Sequence, residues 1–191
     1  SVGASPVVNF TANDIFGCLY TGQITVDVIN CVAPPIAAFT VSDDSICPNT
    51  CVTFSNQSID ATSSQWYFPG AVTDTSTLND PASVCYSTSG DYDVKLIVSN
   101  AGGTDTLLLS NFIHVFPPAT PQNISLIDDT LYSNQGYVSY QWFYNNSLIA
   151  GATQYFYPAT LNGNYSVLST DANGCETTFE ILNIVLGTSE L

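Results

Sequence analysis

The segment DYDVKLIVS, residues 91–99, alternates its side chains with a period of two. Successive side chains of a β-strand point to opposite faces of the sheet, so the pattern predicts a strand with one face on a core. The core face would hold Tyr92, Val94, Leu96 and Val98, and the outer face Asp91, Asp93, Lys95 and Ile97. Lys95, the only lysine of the chain, is therefore expected to lie outside among acids.

The rest of the chain follows the same principle. Helical periodicity is nowhere sustained, and short runs of Val, Ile, Thr, Tyr and Phe recur between clusters of Gly, Pro, Asn, Asp and Ser. With 45% apolar residues available for a core, this favours an all-β, globular chain.

Two proline-rich joints, Pro34-Pro35 and FPPATP at 116–121, divide the chain. They predict a partial β module or hairpin at 1–33, β-sandwiches at 34–117 and 118–187, and a tail at 188–191. Proline favours extended geometry, so we expect the sandwiches to be held apart as semi-rigid beads.

Charge and cysteine content limit the partners and the setting. One cation against 16 acids gives a net charge of −15, which repels phosphate backbones and anionic lipid, so no nucleic-acid partner is expected. No apolar run approaches the roughly 20 residues of a membrane helix, which argues against membrane insertion. Six cysteines without C-x-x-C pairs or a histidine cluster indicate disulfides and an extracellular location.

Residues 35–116 resemble a known module. FTVSDDSICPNTCVTFSNQS, QWYFPGAVTDTSTLNDPASVCY, GDYDVKLIVSNAGGTDT and FIHV look like the polycystic-kidney-disease (PKD) repeat, an immunoglobulin-like sandwich. The version resembled is found in very large bacterial surface proteins exported by the type IX secretion route. The usual W-D-F-G-D-G turn is replaced by WYFPG at 66–70, so the turn aspartates of the family are missing.

Residues 119–187 form a second unit. YQWFYNNSLIAGATQYFYP followed by NGNYSVLSTDANGC resembles bacterial immunoglobulin-like modules with Y-x-W on the third strand and G-x-Y-x-V on the sixth. The resemblance implies that Trp142 is a core tryptophan and Tyr165 a corner-type tyrosine. Trp66 stands in the same Q-W-aromatic context, so we expect Trp66 and Trp142 in two separate cores.

The first 33 residues permit two internal alignments. Setting Gly17-Cys18 on Gly174-Cys175 makes them resemble the last hairpin of a preceding module. Setting PVVNFTANDIFGC on PIAAFTVSDDSIC makes them an incomplete PKD start. Two strands alone are marginal in water, so either alternative requires support from a sandwich edge or from further sequence.

The PKD resemblance places Cys51 on the second strand and Cys85 in the strand SVCY, where a sandwich would bring them face to face as a disulfide. Cys18 and Cys31 could staple the N-terminal hairpin. Cys47 and Cys175 are then left over, and six cysteines allow about 15 full connectivities, among which the sequence does not choose.

Catalysis is not expected. His114 is the only histidine and arginine is absent, so neither a catalytic triad nor a two-histidine metal site can be assembled. No cofactor is predicted beyond weak Ca²⁺ binding by acidic loops. Ser45, Thr106 and Thr130 lie in D-S/T-apolar triplets resembling the O-glycosylation acceptor of the lineage that the modules suggest.

These features predict a non-catalytic structural or adhesion module of a large bacterial cell-surface or secreted protein, acting as a stalk or binding segment. Its partners would be proteins or glycans on a cell or matrix surface, or other copies of itself. Two alternatives stay open: a filament subunit that assembles by strand addition, and a carbohydrate-binding accessory region of a secreted hydrolase. We also expect the encoded protein to continue beyond Leu191 into a small β-rich sorting domain.

Overall fold

The computed structural model describes residues 7–25 and 32–187, and every regular element in them is a β-strand. The first two strands, β1 (Val7–Asn13) and β2 (Leu19–Thr25), pair antiparallel as a hairpin. This hairpin is a two-stranded sheet of its own, and all β1 residues are exposed.

The first sandwich is built from strands β3 to β11, which span residues 39–115. Its strands are β3 (Phe39–Val41), β4 (Ser45–Ile46), β5 (Thr50–Val52), β6 (Phe54–Asn56), β7 (Ser63–Tyr67), β8 (Thr75–Ser76), β9 (Val84–Tyr86), β10 (Gly90–Asn100) and β11 (Gly103–Val115). One sheet has the order β4-β11-β10-β7-β8, and the pairs β3-β6 and β5-β9 complete the fold. Strand β4 runs parallel to β11, whereas the other neighbours are antiparallel.

Strand β10 lies at the centre of this sheet and bears out the predicted alternation. Val94, Leu96 and Val98 are 0% exposed and belong to the core. A bulge between Tyr92 and Val94 shifts the register with β11, and Tyr92 is only half-buried. The predicted core face is therefore continuous except at its first residue.

Lys95 differs in part from the prediction. It is half-buried, and its Nζ lies 3.9 Å from the centroid of the Tyr67 ring, so its nearest partner is an aromatic face rather than an acid. In the part of the chain that the structure describes, the only ion pair joins His114 and Asp91.

The second sandwich is built from strands β12 to β18, which span residues 124–184. They are β12 (Ile124–Ile127), β13 (Thr130–Ser133), β14 (Ser139–Tyr144), β15 (Ser147–Leu148), β16 (Phe156–Pro158), β17 (Gly163–Thr170) and β18 (Glu176–Ile184). They form two sheets, β12-β13-β16 and β15-β14-β17-β18. Its core is a separate cluster of Ile124, Leu131, Trp142, Ala159, Tyr165, Val167 and Ile184.

Two side-chain anchors recur in both sandwiches. Trp66 and Trp142 are 0% exposed, and the indole Nε1 of each donates to the backbone carbonyl twelve residues later, of Leu78 at 3.0 Å and of Gln154 at 2.9 Å. An indole N–H buried without a partner costs free energy, and in both sandwiches the following loop supplies the acceptor.

The second anchor is a tyrosine two residues after a glycine. Tyr92 and Tyr165 donate their hydroxyls to the carbonyls four residues earlier, of Thr88 at 2.8 Å and Leu161 at 2.9 Å. This is the tyrosine corner expected at Tyr165, and it recurs at Tyr92, where it was not predicted. The predicted fold class, tandem immunoglobulin-like β-sandwiches, is confirmed.

Candidate functional site: a disulfide junction between two sandwiches

A disulfide between Cys47 and Cys175 joins the two sandwiches. Its Cα atoms are 5.5 Å apart, within the usual range for disulfides, and the two residues are separated by 128 positions in the sequence. The sequence assigns no partner to Cys47 or Cys175, and the structure pairs them with each other. The sandwiches are also not simply held apart by proline, since a covalent bond connects them at a second point.

Cys47 lies in the tight connection between β4 and β5. The Thr50 N–H donates to the Cys47 carbonyl at 3.2 Å, and Asn49, with a φ of 63°, donates its N–H to the Tyr86 carbonyl at 2.7 Å. Asparagine tolerates this left-handed conformation better than most residues, which lets the chain reverse here. The turn is thus fixed to the core through Tyr86, which is 0% exposed.

Cys175 lies in the turn between β17 and β18. The Asp171 carboxylate accepts backbone N–H groups from Asn173 at 2.8 Å and from Cys175 at 2.9 Å, and the Gly174 N–H donates to the Asp171 carbonyl. An aspartate that binds the backbone two residues on is a common way to stabilise a turn. Cys175 is 2% exposed. The disulfide therefore joins two turns that are each fixed by their own hydrogen bonds.

The linker that follows β11 is the other connection between the two sandwiches. Its end is bound to the second sandwich, because Ser133 Oγ and the Asn134 N–H donate to Gln122 Oε1 at 2.8 and 3.2 Å, and the Tyr137 hydroxyl contacts the Thr120 carbonyl. The stretch between Phe116 and Thr120, which includes two prolines, has few conformations left to explore.

A second disulfide lies within the first sandwich. Cys51 on β5 and Cys85 on β9 are direct cross-strand partners and are bonded to each other. Cys18 is exposed and forms no disulfide within the described residues. Cys31 lies outside the described residues, so the proposed Cys18–Cys31 pair stays a prediction.

Titratable groups do not converge on a reactive centre in the described ranges 7–25 and 32–187. His114 Nδ1 lies 2.5 Å from Asp91 Oδ1, but the two side chains are 45% and 53% exposed, so solvent screens the pair. No group of three or more His, Cys, Asp or Glu side chains that could hold a metal occurs in these ranges. Weak Ca²⁺ binding stays a prediction.

Among the described residues, three pKa values depart from their usual ranges for structural reasons. Burial raises the pKa of Tyr86 to about 12, and the nearby Tyr92 adds to the effect. Burial also raises the pKa of Tyr165. Backbone N–H groups of Ala37 and Thr106 lower the pKa of Asp105, because both stabilise its carboxylate. Asp105 thereby ties the start of the first sandwich to β11.

The second sandwich carries a small aromatic cluster at its surface, formed by Tyr132, Tyr155 and Phe156. Phe156 is 38% exposed, and its ring centroid lies 5.2 Å from that of Tyr155 and 6.2 Å from that of Tyr132. Tyr157 points the other way and packs on the core. Three neighbouring rings give a platform on which a flat apolar face can stack.

The three candidate glycosylation residues occupy different surroundings. Ser45 is exposed, with Oγ donating to Asp44 Oδ1 at 2.9 Å, and Thr106 is exposed on β11. Thr130 is half-buried at the start of β13, directly after the turn formed by Asp128 and Asp129. Modification at any of them stays a prediction, with the more accessible Ser45 and Thr106 favoured over Thr130.

No helix of the described residues is long and apolar enough to cross a membrane. The chain matches no protein-family model, and no curated protein matches it in sequence. The PKD and type IX assignments therefore stay hypotheses that rest on the motifs quoted above.

Comparison with solved structures finds similar β-domain proteins at low identity. The chain is similar to the fibronectin(III)-like modules of CbhA from Clostridium thermocellum, with 10% identity and a TM-score of 0.41 over 78% of this chain and 94% of that one. It is also similar to the titin domains Z1Z2 in complex with telethonin, with 12% identity and a TM-score of 0.36 over 81% and 98% of the two chains. Dimeric latent PorU from Porphyromonas gingivalis has 12% identity and a TM-score of 0.35 over 95% of this chain and 24% of PorU.

Proposed function

We propose that this chain is a non-catalytic structural segment of an extracellular protein, a spacer whose two sandwiches are locked together by the Cys47–Cys175 disulfide. That bond is the observation that carries the proposal, because a tandem joined by proline alone would need no second connection. Together with the bound end of the linker, it restricts rotation about the joint.

The disulfides support an extracellular setting. Two disulfides in 191 residues persist in an oxidising compartment and are rare in the cytosol. The net charge of −15 favours solubility and keeps such segments from adsorbing to anionic surfaces. The finer assignment, to a bacterial surface protein exported by the type IX route, rests on the PKD resemblance. It predicts that the protein is found outside producing cells and is retained when that route is disrupted.

The spacer function is tested by the motion of one sandwich relative to the other. ¹⁵N relaxation of the intact chain should give one rotational correlation time for both sandwiches. In a Cys47→Ser/Cys175→Ser variant the two values should diverge, because only the linker remains. Small-angle scattering should report a broader distance distribution for the same variant.

Cys18→Ser is the matched control, since it removes a thiol that forms no disulfide within the described residues. It should behave like the parent chain. Independent tumbling of the sandwiches in the oxidised parent would refute a locked spacer.

The cluster of Tyr132, Tyr155 and Phe156 favours a second candidate function, contact with a glycan. Sugar rings stack their apolar faces on exposed aromatics, and Phe156 offers such a face. Glycan-array binding that is lost in Phe156→Ala, but kept in a variant at the exposed Leu182, would support it. Absence of binding to any glycan would remove this candidate and leave the spacer function standing.

A further inference from the structure

The N-terminal hairpin β1–β2 repeats the register of the closing hairpin β17–β18 of the second sandwich in six of its seven residue pairs. Val8 pairs with Ile24 as Tyr165 pairs with Ile181, and Phe10 pairs with Gly22 as Val167 pairs with Phe179. A constant offset of 157 residues relates these pairs, as it relates Asn13↔Leu19 to Thr170↔Glu176. The first of the two internal alignments of residues 1–33 is therefore the one that the pairing supports.

The turns of the two hairpins are also the same. Asp14 Oδ1 accepts the N–H groups of Phe16 and Cys18, both at 2.9 Å, as Asp171 Oδ1 accepts those of Asn173 and Cys175. Gly17 and Gly174 have φ values of 81° and 82°. Cys18 thus occupies the position of Cys175.

The two hairpins differ in what covers them. Tyr165 and Val167 are 2% and 0% exposed in the core of the second sandwich. Their counterparts Val8 and Phe10 are 51% and 46% exposed, although the Phe10 ring lies across Gly22, where a Cβ would meet it at 2.3 Å. An apolar face with the register of a core hairpin is exposed, and apolar surface of this kind is stabilised by burial.

We propose that β1–β2 is the closing hairpin of an immunoglobulin-like sandwich whose other strands precede it in the same polypeptide. In the second sandwich the strands that cover β17–β18, from β12 to β16, all come earlier in the chain. A second copy of this chain offers no vacant place of this kind, because its own second sandwich already contains β17 and β18.

The same repeat assigns a partner to Cys18. Cys175 bonds to a turn cysteine of the sandwich that precedes its own, and is 2% exposed. Cys18 accordingly pairs with a turn cysteine of a PKD-like sandwich upstream of the one that its hairpin closes. The two thiols lose two protons and two electrons to the disulfide of a thiol–disulfide oxidoreductase, which is reduced to a dithiol. The inference goes beyond the spacer function and stands or falls independently of it.

The first test is disulfide mapping of the longer encoded polypeptide, extended upstream by roughly two modules of ordinary domain size. Under non-reducing conditions the Cys18 peptide should be recovered bonded to a cysteine upstream of Ser1. Recovery of Cys18 as a free thiol, bonded to Cys31, or bonded to a second copy would overturn the proposal. A reading frame that offers no upstream β-sandwich would do the same.

The second test uses two adjacent valines with equal exposure. Val7 and Val8 are each 51% exposed in the described residues and point to opposite faces of β1. In the longer polypeptide Val8→Asp should lower the midpoint of thermal unfolding of the upstream sandwich by more than about 5 °C, or prevent its folding. Val7→Asp should leave it close to the parent. Equal effects of the two substitutions would show that the Val8 face covers no core.

The isolated 191-residue chain supplies the control for this comparison. There, neither Val8→Asp nor Val7→Asp should change the unfolding of the two sandwiches, because β1–β2 is a separate sheet. A large effect of Val8→Asp in the isolated chain would place the hairpin on the sandwiches described above and overturn the assignment upstream.

Discussion

Replacing both Cys51 and Cys85 by alanine should destabilise the first sandwich by about 3.8 kcal/mol. The two cysteines are 34 residues apart, and the chain-entropy model assigns to a loop of that length about 12.6 cal/mol/K, or about 3.8 kcal/mol at 25 °C. Cys51 is exposed and Cys85 half-buried, so the loss of packing should be small beside the loop term. A sandwich of this size is stable by roughly 4–12 kcal/mol, so the change removes a large share of that free energy.

Each sandwich carries one tryptophan, which separates the two transitions. In a Trp142→Phe background, urea unfolding followed by fluorescence reports on the environment of Trp66 and hence on the first sandwich. Removing both cysteines together leaves neither of them as an unpaired thiol that could exchange with the Cys47–Cys175 bond. The Cys47→Ala/Cys175→Ala variant is the control, since it removes a disulfide but leaves the Cys51–Cys85 loop closed.

The expected outcome is a lower unfolding midpoint for the first sandwich in Cys51→Ala/Cys85→Ala, with the slope little changed. A change below about 1 kcal/mol would refute the reasoning, because it would mean that the reduced unfolded chain is already as restricted as the oxidised one.

The further predictions concern the cores and the dependence of stability on pH. Trp66→Ala and Trp142→Ala should each cost about 3–5 kcal/mol in its own sandwich, as measured by urea unfolding, and equal loss in both sandwiches would contradict two separate cores. Tyr86→Phe should raise the free energy of unfolding by about 1 kcal/mol, since the buried hydroxyl has no hydrogen-bond partner among the described residues. The parent should also lose stability from about pH 10 towards 12, where the unfolded but not the folded tyrosine ionises, and a Tyr86→Phe variant with the same alkaline loss would exclude this cause. Asp105→Asn should reduce the loss of unfolding free energy at acid pH. The stabilisation by the Asp105 carboxylate is present above its ordinary pKa of 3.8 and is lost as pH falls through the lower pKa of the folded state. An acid-induced loss that is the same in the variant would assign this loss to other carboxylates.

The elements that sequence predicted best are those set by local pattern. The alternation around Val94, Leu96 and Val98 needs only the period of a strand and one buried face. Trp142 and Tyr165 follow from short motifs whose side chains bond to backbone a few residues away. Tyr92 could have been predicted as a tyrosine corner in the same way, because Gly90 lies two residues before it as Gly163 lies two residues before Tyr165. The alternation of the strand predicts only that Tyr92 lies on the core face.

The Cys47–Cys175 junction was beyond such reasoning. The two cysteines lie in different sandwiches, 128 residues apart in the sequence. Local sequence periodicity does not indicate which loops of two domains are in contact. The surface aromatic cluster likewise depends on more than local pattern. Alternation separates Phe156 from Tyr157, but the approach of Tyr132 depends on the pairing of β13 with β16.

The position of Lys95 limits how a trypsin-like protease can cut this chain. Lys95 is the only residue of the chain after which a trypsin-like enzyme cuts. Lys95 pairs with Leu108 on one side and with Tyr67 on the other, so its backbone lies in the middle of a sheet. A protease needs an extended, free segment, and here that segment forms only when β10 leaves the sheet, which amounts to unfolding the first sandwich. In surroundings rich in secreted trypsin-like enzymes, the lifetime of this chain should therefore follow the unfolding equilibrium of one sandwich.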